Sequence, residues 1–299
     1  MPAKILVSGS SGLVGAALLR SLGADGHQIT RIVHGTASVA GQVAWYPDRP
    51  LAPETVSGFD AVIHLAGESI ASRWTPSKKK AIRDSRVLGT ANLAHALART
   101  PQPPRVFISA SAIGYYGNRA DEVLREDTPP GSSGFLPEVC REWEAAAQPA
   151  GDAGIRTTQL RTGIVLSADG GALRKMLPPF RMGLGGNLGS GRQWMSWIDL
   201  HDMVGAIRHL LTNESLHGPV NIVSPNPVTN ADFTRTLASA LSRPAIFPMP
   251  AFAARLVFGQ MGEELLLGSQ RVEPAKLVGS GYVFQKPDLR KALEVILNK

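Results

Sequence analysis

The stretch Lys4-Ile-Leu-Val-Ser-Gly-Ser-Ser-Gly-Leu-Val-Gly15 decides the fold. Ile5, Leu6 and Val7 form a short apolar run, as a strand buried on both faces of a sheet requires. Gly9, Gly12 and Gly15 follow at a G-x-x-G-x-x-G spacing, and Leu13, Ala16, Ala17, Leu18 and Leu19 then recur with helical spacing. The glycines therefore stand in a strand-to-helix turn, the setting in which such a triplet grips a dinucleotide. Without a Cβ, Gly9 can make the tight turn and Gly12 lets the backbone approach a pyrophosphate. Gly15 lets the helix pack against the strand. Unpaired N–H groups at the helix start face the phosphates, and the helix dipole favours their charge. Gly9, Ser10, Ser11, Gly12, Leu13, Val14 and Gly15 are the cofactor contacts expected from this turn.

The next strand, His27 to Val33, bears on which dinucleotide. A site for NAD usually places an Asp or Glu at its end, bonded to the ribose 2′-hydroxyl. This chain has no acid between Asp25 and Asp48 and offers Arg31, Val33 and His34 instead. A carboxylate repels a 2′-phosphate and a cation attracts it, so NADP is the expected cofactor. Val43 to Trp45 reads as a short strand. Asp60 to Gly67 reads as a third strand ending in Leu65, Ala66 and Gly67, small enough for a cofactor to lie over the strand end. Pro76 suits the first turn of a long helix to about Ala98, and Pro101, Pro103 and Pro104 stop it. Within it Lys79, Arg83 and Arg86 share a face, with Arg86 the candidate phosphate contact. Arg105 to Ser111 is a fourth strand carrying Ser109, an expected cofactor contact, and Ser111 at its end, followed by Ala112-Ile-Gly-Tyr-Tyr-Gly117. A helix over Phe135–Ala147 and a fifth strand, Ile155 to Leu160, leading to Val165, complete the alternation.

Strands alternating with helices give an α/β fold, a Rossmann-type doubly wound parallel sheet with a smaller C-terminal substrate-side lobe. Residues 1–165, completed by about 199–224, are expected to form the NADP-binding domain. The segments 166–198 and 225–299 form the lobe, in which 247–296 reads as a small helical domain. A helix over Leu173–Met182, a strand over Trp194–Ile198 and a helix capped by Asp199 fall in this half. The glycine-dense loop Gly183–Arg192 lacks the Gly-Lys-Ser/Thr ending of a phosphate loop, which rejects that reading.

The bulk numbers exclude several classes. The chain has 299 residues, 43% of them apolar and 18% charged, an ordinary globular composition. No run of about 18 apolar residues and no signal-peptide layout occurs, so a cytoplasmic protein without a membrane partner is expected. A single cysteine, Cys140, excludes an intramolecular disulfide and a Cys-based zinc site, and the seven histidines show no metal spacing. The net charge is +7; the basic residues are mostly scattered, no nucleic-acid module is present, and a polyanionic small ligand suits the modest positive field. The expected partner is a small-molecule substrate; a homodimer stays open.

Together these residues resemble the extended short-chain dehydrogenase/reductase superfamily and, within it, the atypical branch known as the epimerase family. The resemblance spans nearly the whole chain. It rests on Gly9–Gly15, His64–Glu68, Arg73-Trp74, Ser85-Arg86, Ser111–Gly117, Cys140 with Trp143-Glu144, and Arg161-Thr-Gly163. It continues through Leu184-Gly-Gly, Gly189-Ser-Gly191 with Gln193, Trp197-Ile198, and Asn221 with Ser224-Pro225. By that resemblance the cofactor contacts the glycine turn, Val33, His34, Leu65, Ala66, Arg86 and Val165. Two departures matter: the family usually has Arg where His34 stands and His where Asp199 stands.

Reversible hydride transfer to a carbonyl also moves a proton. The superfamily usually supplies it from a Tyr four residues before a Lys, but the matching helix, Gly134 to Glu144, contains neither. Tyr282 and Lys286 show that spacing but lie in the other lobe and are set aside. Ser111, Tyr115 and Tyr116 remain as candidate catalytic groups, with one of the two tyrosines expected in the core. Three readings stay open: an NADP-dependent oxidoreductase with a non-standard proton donor, a catalytically inactive NADP-binding sensor or scaffold, and a nucleotide-sugar epimerase or dehydratase.

Overall fold

The computed structural model describes residues 2–298. The opening apolar run is strand β1 (Lys4–Ser8), and helix α1 (Leu13–Ala24) starts directly after the glycine turn. β2 (Gln28–His34) and β3 (Gln42–Trp45) follow, joined by residues 35–41 without a helix. A parallel crossover usually needs about a dozen residues. Gly35 and Gly41, at φ +84° and +77°, turn this short one back. Next come β4 (Ala61–His64), α2 (Pro76–Arg99) and β5 (Val106–Ala112). Thr75 starts α2 by accepting the Lys78 N–H at 3.2 Å.

After β5 come β6 (Val123–Leu124), α3 (Phe135–Ala146), α4 (Gln148–Asp152), β7 (Arg156–Thr162) and β8 (Ile164–Leu166). α5 (Gly171–Arg181), β9 (Trp194–Met195), β10 (Trp197–Asp199), α6 (Leu200–Thr212) and β11 (Gly218–Ile222) follow. The chain ends with β12 (Val228–Thr229), α7 (Asn230–Leu241), α8 (Ala251–Phe258), β13 (Arg271–Val272), α9 (Ala275–Gly279) and α10 (Leu289–Ile296).

Seven strands form one parallel sheet in the order β11-β7-β5-β4-β1-β2-β3. The order reverses between β1 and β4, which opens a ligand crevice at their C-terminal ends. Alternate strand residues fill two cores. Ile5, Val7, Ile63, Ile108 and Leu160 pack with Leu18 of α1 and Ile207 of α6. Leu6, Val62 and Phe107 pack with Leu93 and Leu97 of α2. The sheet is thus covered on both faces, as the sequence pattern implies.

Two boundaries differ from expectation. The strand expected to run to Gly67 ends at His64, because β1 stops at Ser8 and Leu65 N–H makes the last bond, 3.3 Å to the Ser8 carbonyl. The strand expected over Trp194–Ile198 is split at Ser196: β9 pairs with β12 and β10 with β8. Ser196 turns its hydroxyl to the Gln270 carbonyl at 2.8 Å and to Val272 N–H at 2.9 Å. The C-terminal stretch contributes to four cores, Val272 joining Tyr116 and Leu124 in one of them. α10 packs with α5 and α7, Leu277 joins the core under α6, and Met261 meets Trp74 and Leu136.

Candidate functional site

The glycine turn sits at the switch between β1 and β4. Gly9 has φ +68°, and a Cβ there would lie 2.5 Å from the Leu65 carbonyl carbon. A Cβ on Gly15 would lie 2.2 Å from the Gly9 carbonyl oxygen. The turn is therefore a bare-backbone cradle. Gly12 occupies the N-cap of α1 with no side chain capping it, and the first turn holds no acid. The N–H groups of Leu13, Val14 and Gly15 are left for an outside acceptor, and a diphosphate fits that requirement. Ser10 is buried and Ser11 exposed.

Arg31 donates from Nε to Ser10 Oγ at 3.0 Å, which holds its guanidinium against the turn. Val33 is half-buried and His34 exposed at the end of β2. Two residues that sequence reasoning missed stand beside His34. Tyr46 meets its ring edge-on at 5.8 Å, and Arg49 lies over the Tyr46 ring at 4.7 Å. Only the β2–β3 pairing, which sets His34 opposite Trp45, brings them there.

Leu65 and Ala66 are half-buried and Gly67 is exposed. Arg86 donates to the Glu68 carbonyl at 2.9 Å and lies 5.0 Å over the Trp143 ring, against Gly67. Val165 approaches the turn through the next loop: a Cβ on Gly171 would touch both its carbonyl oxygen and Leu13. Ser109 is a correction. It lies in a row with Ser8, His64 and Gln159, set side by side by the parallel register, and is wholly buried. Among the described residues its hydroxyl bonds only the Ala110 carbonyl, at 3.4 Å, and it offers no surface to a cofactor.

In the same row His64 bonds Ser8 Oγ through Nδ1 at 2.6 Å, while Nε2 has no partner among the described residues. Burial lowers its pKa from the ordinary 6.5 to about 4.

The end of β5 carries a second assembly. Ser111 donates to Glu144 Oε1 at 2.7 Å. Arg161 grips both oxygens of that carboxylate, Nε to Oε1 and Nη2 to Oε2, each at 2.9 Å. Its Nη1 donates to the Tyr116 hydroxyl and to the Glu126 carbonyl, both at 3.0 Å. Tyr116 is wholly buried, its hydroxyl 2.7 Å from Asn221 Oδ1, and burial pushes its pKa up to about 12. Of the two tyrosines, then, Tyr116 is the core residue, and the geometry withdraws it as a proton donor. Ser111, 4% exposed, is likewise committed to Glu144.

Tyr115 differs. It is half-buried, its ring lies 3.5 Å under the Arg161 guanidinium, and its hydroxyl takes no part in the network. On α3, Leu136 and Cys140 stand four residues apart and face Gly114 in the β5 loop. The Cys140 thiol is buried and pushed up to about 12, so it is inert.

Glu144 and Arg161 belong to motifs noted in the sequence, but their pairing is not readable there. A charged Arg161 inside the run Gln159–Thr162 of a central strand is the one signal that a buried partner must exist.

The described residues hold no group of three or more His, Cys, Asp and Glu arranged for a metal.

Comparison with known proteins places this geometry. Residues 5–223 match the NAD dependent epimerase/dehydratase family, and residues 249–296 match a domain of unknown function, DUF1731. An epimerase family protein of Mycobacterium bovis is 42% identical over 97% of this chain and 96% of its own length. Human epimerase family protein SDR39U1 is 37% identical over 98% of this chain and 99% of its own. The crystal structure of human SDR39U1 with NADPH superposes with a TM-score of 0.91 over 99% of both chains, at 36% identity. A structure described as a nucleoside-diphosphate sugar epimerase from Corynebacterium glutamicum gives a TM-score of 0.82 at 38% identity. It covers 99% of this chain and 58% of the other.

Proposed function

The chain belongs to the NAD dependent epimerase/dehydratase family, and we propose that it is an NADP(H)-dependent oxidoreductase acting on a small carbonyl or alcohol with a non-standard proton donor. The observation that carries the cofactor assignment is the bare turn with Arg31 fastened to Ser10 and no carboxylate at the end of β2. That arrangement attracts a 2′-phosphate, and the human relative was crystallised with NADPH. Gly9 to Gly15 hold the diphosphate. Leu65 and Ala66 support the ribose side. Arg31, with the His34–Tyr46–Arg49 stack, meets the 2′-phosphate.

The bound nicotinamide supplies or accepts hydride. Tyr115 moves the proton, since it is the one candidate whose hydroxyl the buried network leaves free. The Ser111–Glu144–Arg161 network fixes the guanidinium over its ring.

A second reading has its own support. Leu136 and Cys140 occupy the α3 face at the spacing of the usual acid/base pair, which suits an NADP-binding sensor without turnover. The sugar-epimerase reading needs that same pair and is the weakest.

Purified protein mixed with NADPH and a panel of aldehydes, ketones and quinones distinguishes them by cofactor absorbance. Turnover that Tyr115→Phe abolishes, with NADPH affinity kept, supports the oxidoreductase. Tight binding without turnover on every substrate moves the assignment to the sensor. UDP-sugar interconversion without net NADPH oxidation moves it to the epimerase.

A further inference from the structure

Two segments of the C-terminal lobe, 170–198 and 233–262, contain seven Lys and Arg and no Asp or Glu. Their charge equals the net +7 of the whole chain, so the remainder is neutral. The fold joins these two segments. Leu184 pairs with Ala245, Leu188 pairs with Met249, and the Phe247 N–H donates to the Gly185 carbonyl at 3.0 Å. α8 continues directly from that pairing.

The same segments carry a concentration of exposed large apolar side chains. Met182 is 66% exposed, Ile246 71%, Phe252 70% and Leu256 74%, with Leu184 and Phe247 more than half exposed. Phe252 and Leu256 stand four apart on α8 and so share its outer face, opposite the buried Ala254. Arg235 and Arg255 pair with Asp232 and Glu263 just outside the segments. The other five cations, including Arg181 and Arg243, which both precede the Leu184–Ala245 pair at one end of the strap, make no ion pair among the described residues.

We infer that this face docks the protein on an anionic lipid surface. Charge selects the occupant. A second copy meeting the face through a two-fold axis would set its five unpaired cations against the same five, which like charges oppose. A bilayer with anionic headgroups meets the cations and admits the projecting Phe, Leu and Ile side chains at its boundary, the pattern of an interfacial anchor. No described helix is long and apolar enough to cross a membrane, so the chain lies against the surface. The expectation of no membrane partner rested on the lack of a spanning segment, which a protein lying on the surface does not need. Arg73, in the loop that follows Gly67, reaches the Leu256 carbonyl at 3.4 Å, so docking brings the mouth of the cofactor site to the lipid.

The test is sedimentation of the full-length protein with vesicles, about three parts phosphatidylcholine to one part phosphatidylglycerol, against phosphatidylcholine alone. We expect pelleting with the anionic vesicles only, reversed by high salt. The variant Phe252→Glu/Leu256→Glu should lower the partition coefficient by ~tenfold or more, and Arg181→Glu/Arg243→Glu by a similar factor. Val283→Glu/Val295→Glu, exposed apolar residues outside both segments, should leave it unchanged. NADPH affinity and melting temperature report the folding of each variant, and Phe252→Ser serves if the double Glu variant unfolds. No pelleting of the wild type overturns the inference. So does equal pelleting with neutral vesicles, or a dimer in solution that Phe252→Glu dissolves.

Discussion

The glycine turn after β1 and the end of β5 lie at the same edge of one sheet, yet they are built in opposite ways. The turn is made by side chains that are missing: Gly9, Gly12 and Gly15 fall within seven consecutive residues and leave backbone N–H groups for a ligand. The end of β5 is made by side chains drawn from distant places. Ser111 and Tyr116, Glu144, Arg161 and Asn221 come from four stretches of chain and leave almost no polar group unpaired. A cradle for an outside anion has to be incomplete without it. A closed network completes itself and stiffens the wall at this end of the sheet.

The sharpest way to break the first half of that contrast is to fill the cradle. In Gly15→Ala the new Cβ meets the Gly9 carbonyl oxygen at 2.2 Å and Ser10 Cα at 2.9 Å, both backbone atoms that cannot swing aside. Overpacking of this kind lies above the ~3 kcal/mol upper end for buried methylenes. NADPH affinity should fall by roughly a hundredfold or more. Calorimetric titration showing a wild-type constant would mean that the turn does not hold the diphosphate.

The closed network breaks by removing one charge. Glu144→Gln leaves the Arg161 guanidinium, only 3% exposed, facing a neutral amide. Removing one partner of a buried ion pair costs about 3–5 kcal/mol. The melting temperature should drop on the order of 5–10 °C. If Tyr115 depends on Arg161 for its position, any turnover should fall with it while NADPH binding stays. A variant that melts like the wild type would show that the pair contributes nothing net.

His64 sits between the two regions and reports on both, because it bonds Ser8 at the foot of the turn and lies in the row below Ser111. Its folded pKa of about 4 is below the ordinary 6.5. Above pH 6.5 the imidazole is neutral in both states, and burial exacts no ionisation penalty. As pH falls from 6.5 towards 4, the unfolded chain takes up a proton that the folded chain refuses. About 3 kcal/mol of stability is lost across that window and none further below it. Urea unfolding from pH 7 to pH 4 should show this slope, and His64→Asn should flatten it.

The contrast also explains what the sequence made legible. The parallel sheet, the turn and the uncharged end of β2 rest on neighbours in sequence, where apolar spacing and glycine positions act directly. Ser111 and Tyr116 were readable as polar groups near the site, but their commitment to Glu144 and Asn221 depends on contacts 33 and 105 residues away. Ser109 looked like a strand-end hydroxyl, and only the register of β4, β5 and β7 puts it a layer too deep. Tyr46 and Arg49 had no motif at all, because an edge strand after a short crossover brought them to His34.

The smallest predicted effect tests whether the bare turn is also selective. Arg31 is half-buried and fastened to Ser10, so under the proposed function it would meet a 2′-phosphate already oriented; Arg49 is exposed, stacked on Tyr46, and screened by solvent. Arg31→Ala should weaken NADPH by about tenfold, as expected for one charge-assisted hydrogen bond, and leave NADH nearly unchanged. Arg49→Ala should weaken NADPH by roughly threefold, an effect that shrinks as salt rises. Titration of both dinucleotides separates two roles for Arg31. A loss confined to NADPH means that the guanidinium reads the phosphate. An equal loss for both means that it only braces Ser10, and selectivity then falls to the stack beside His34.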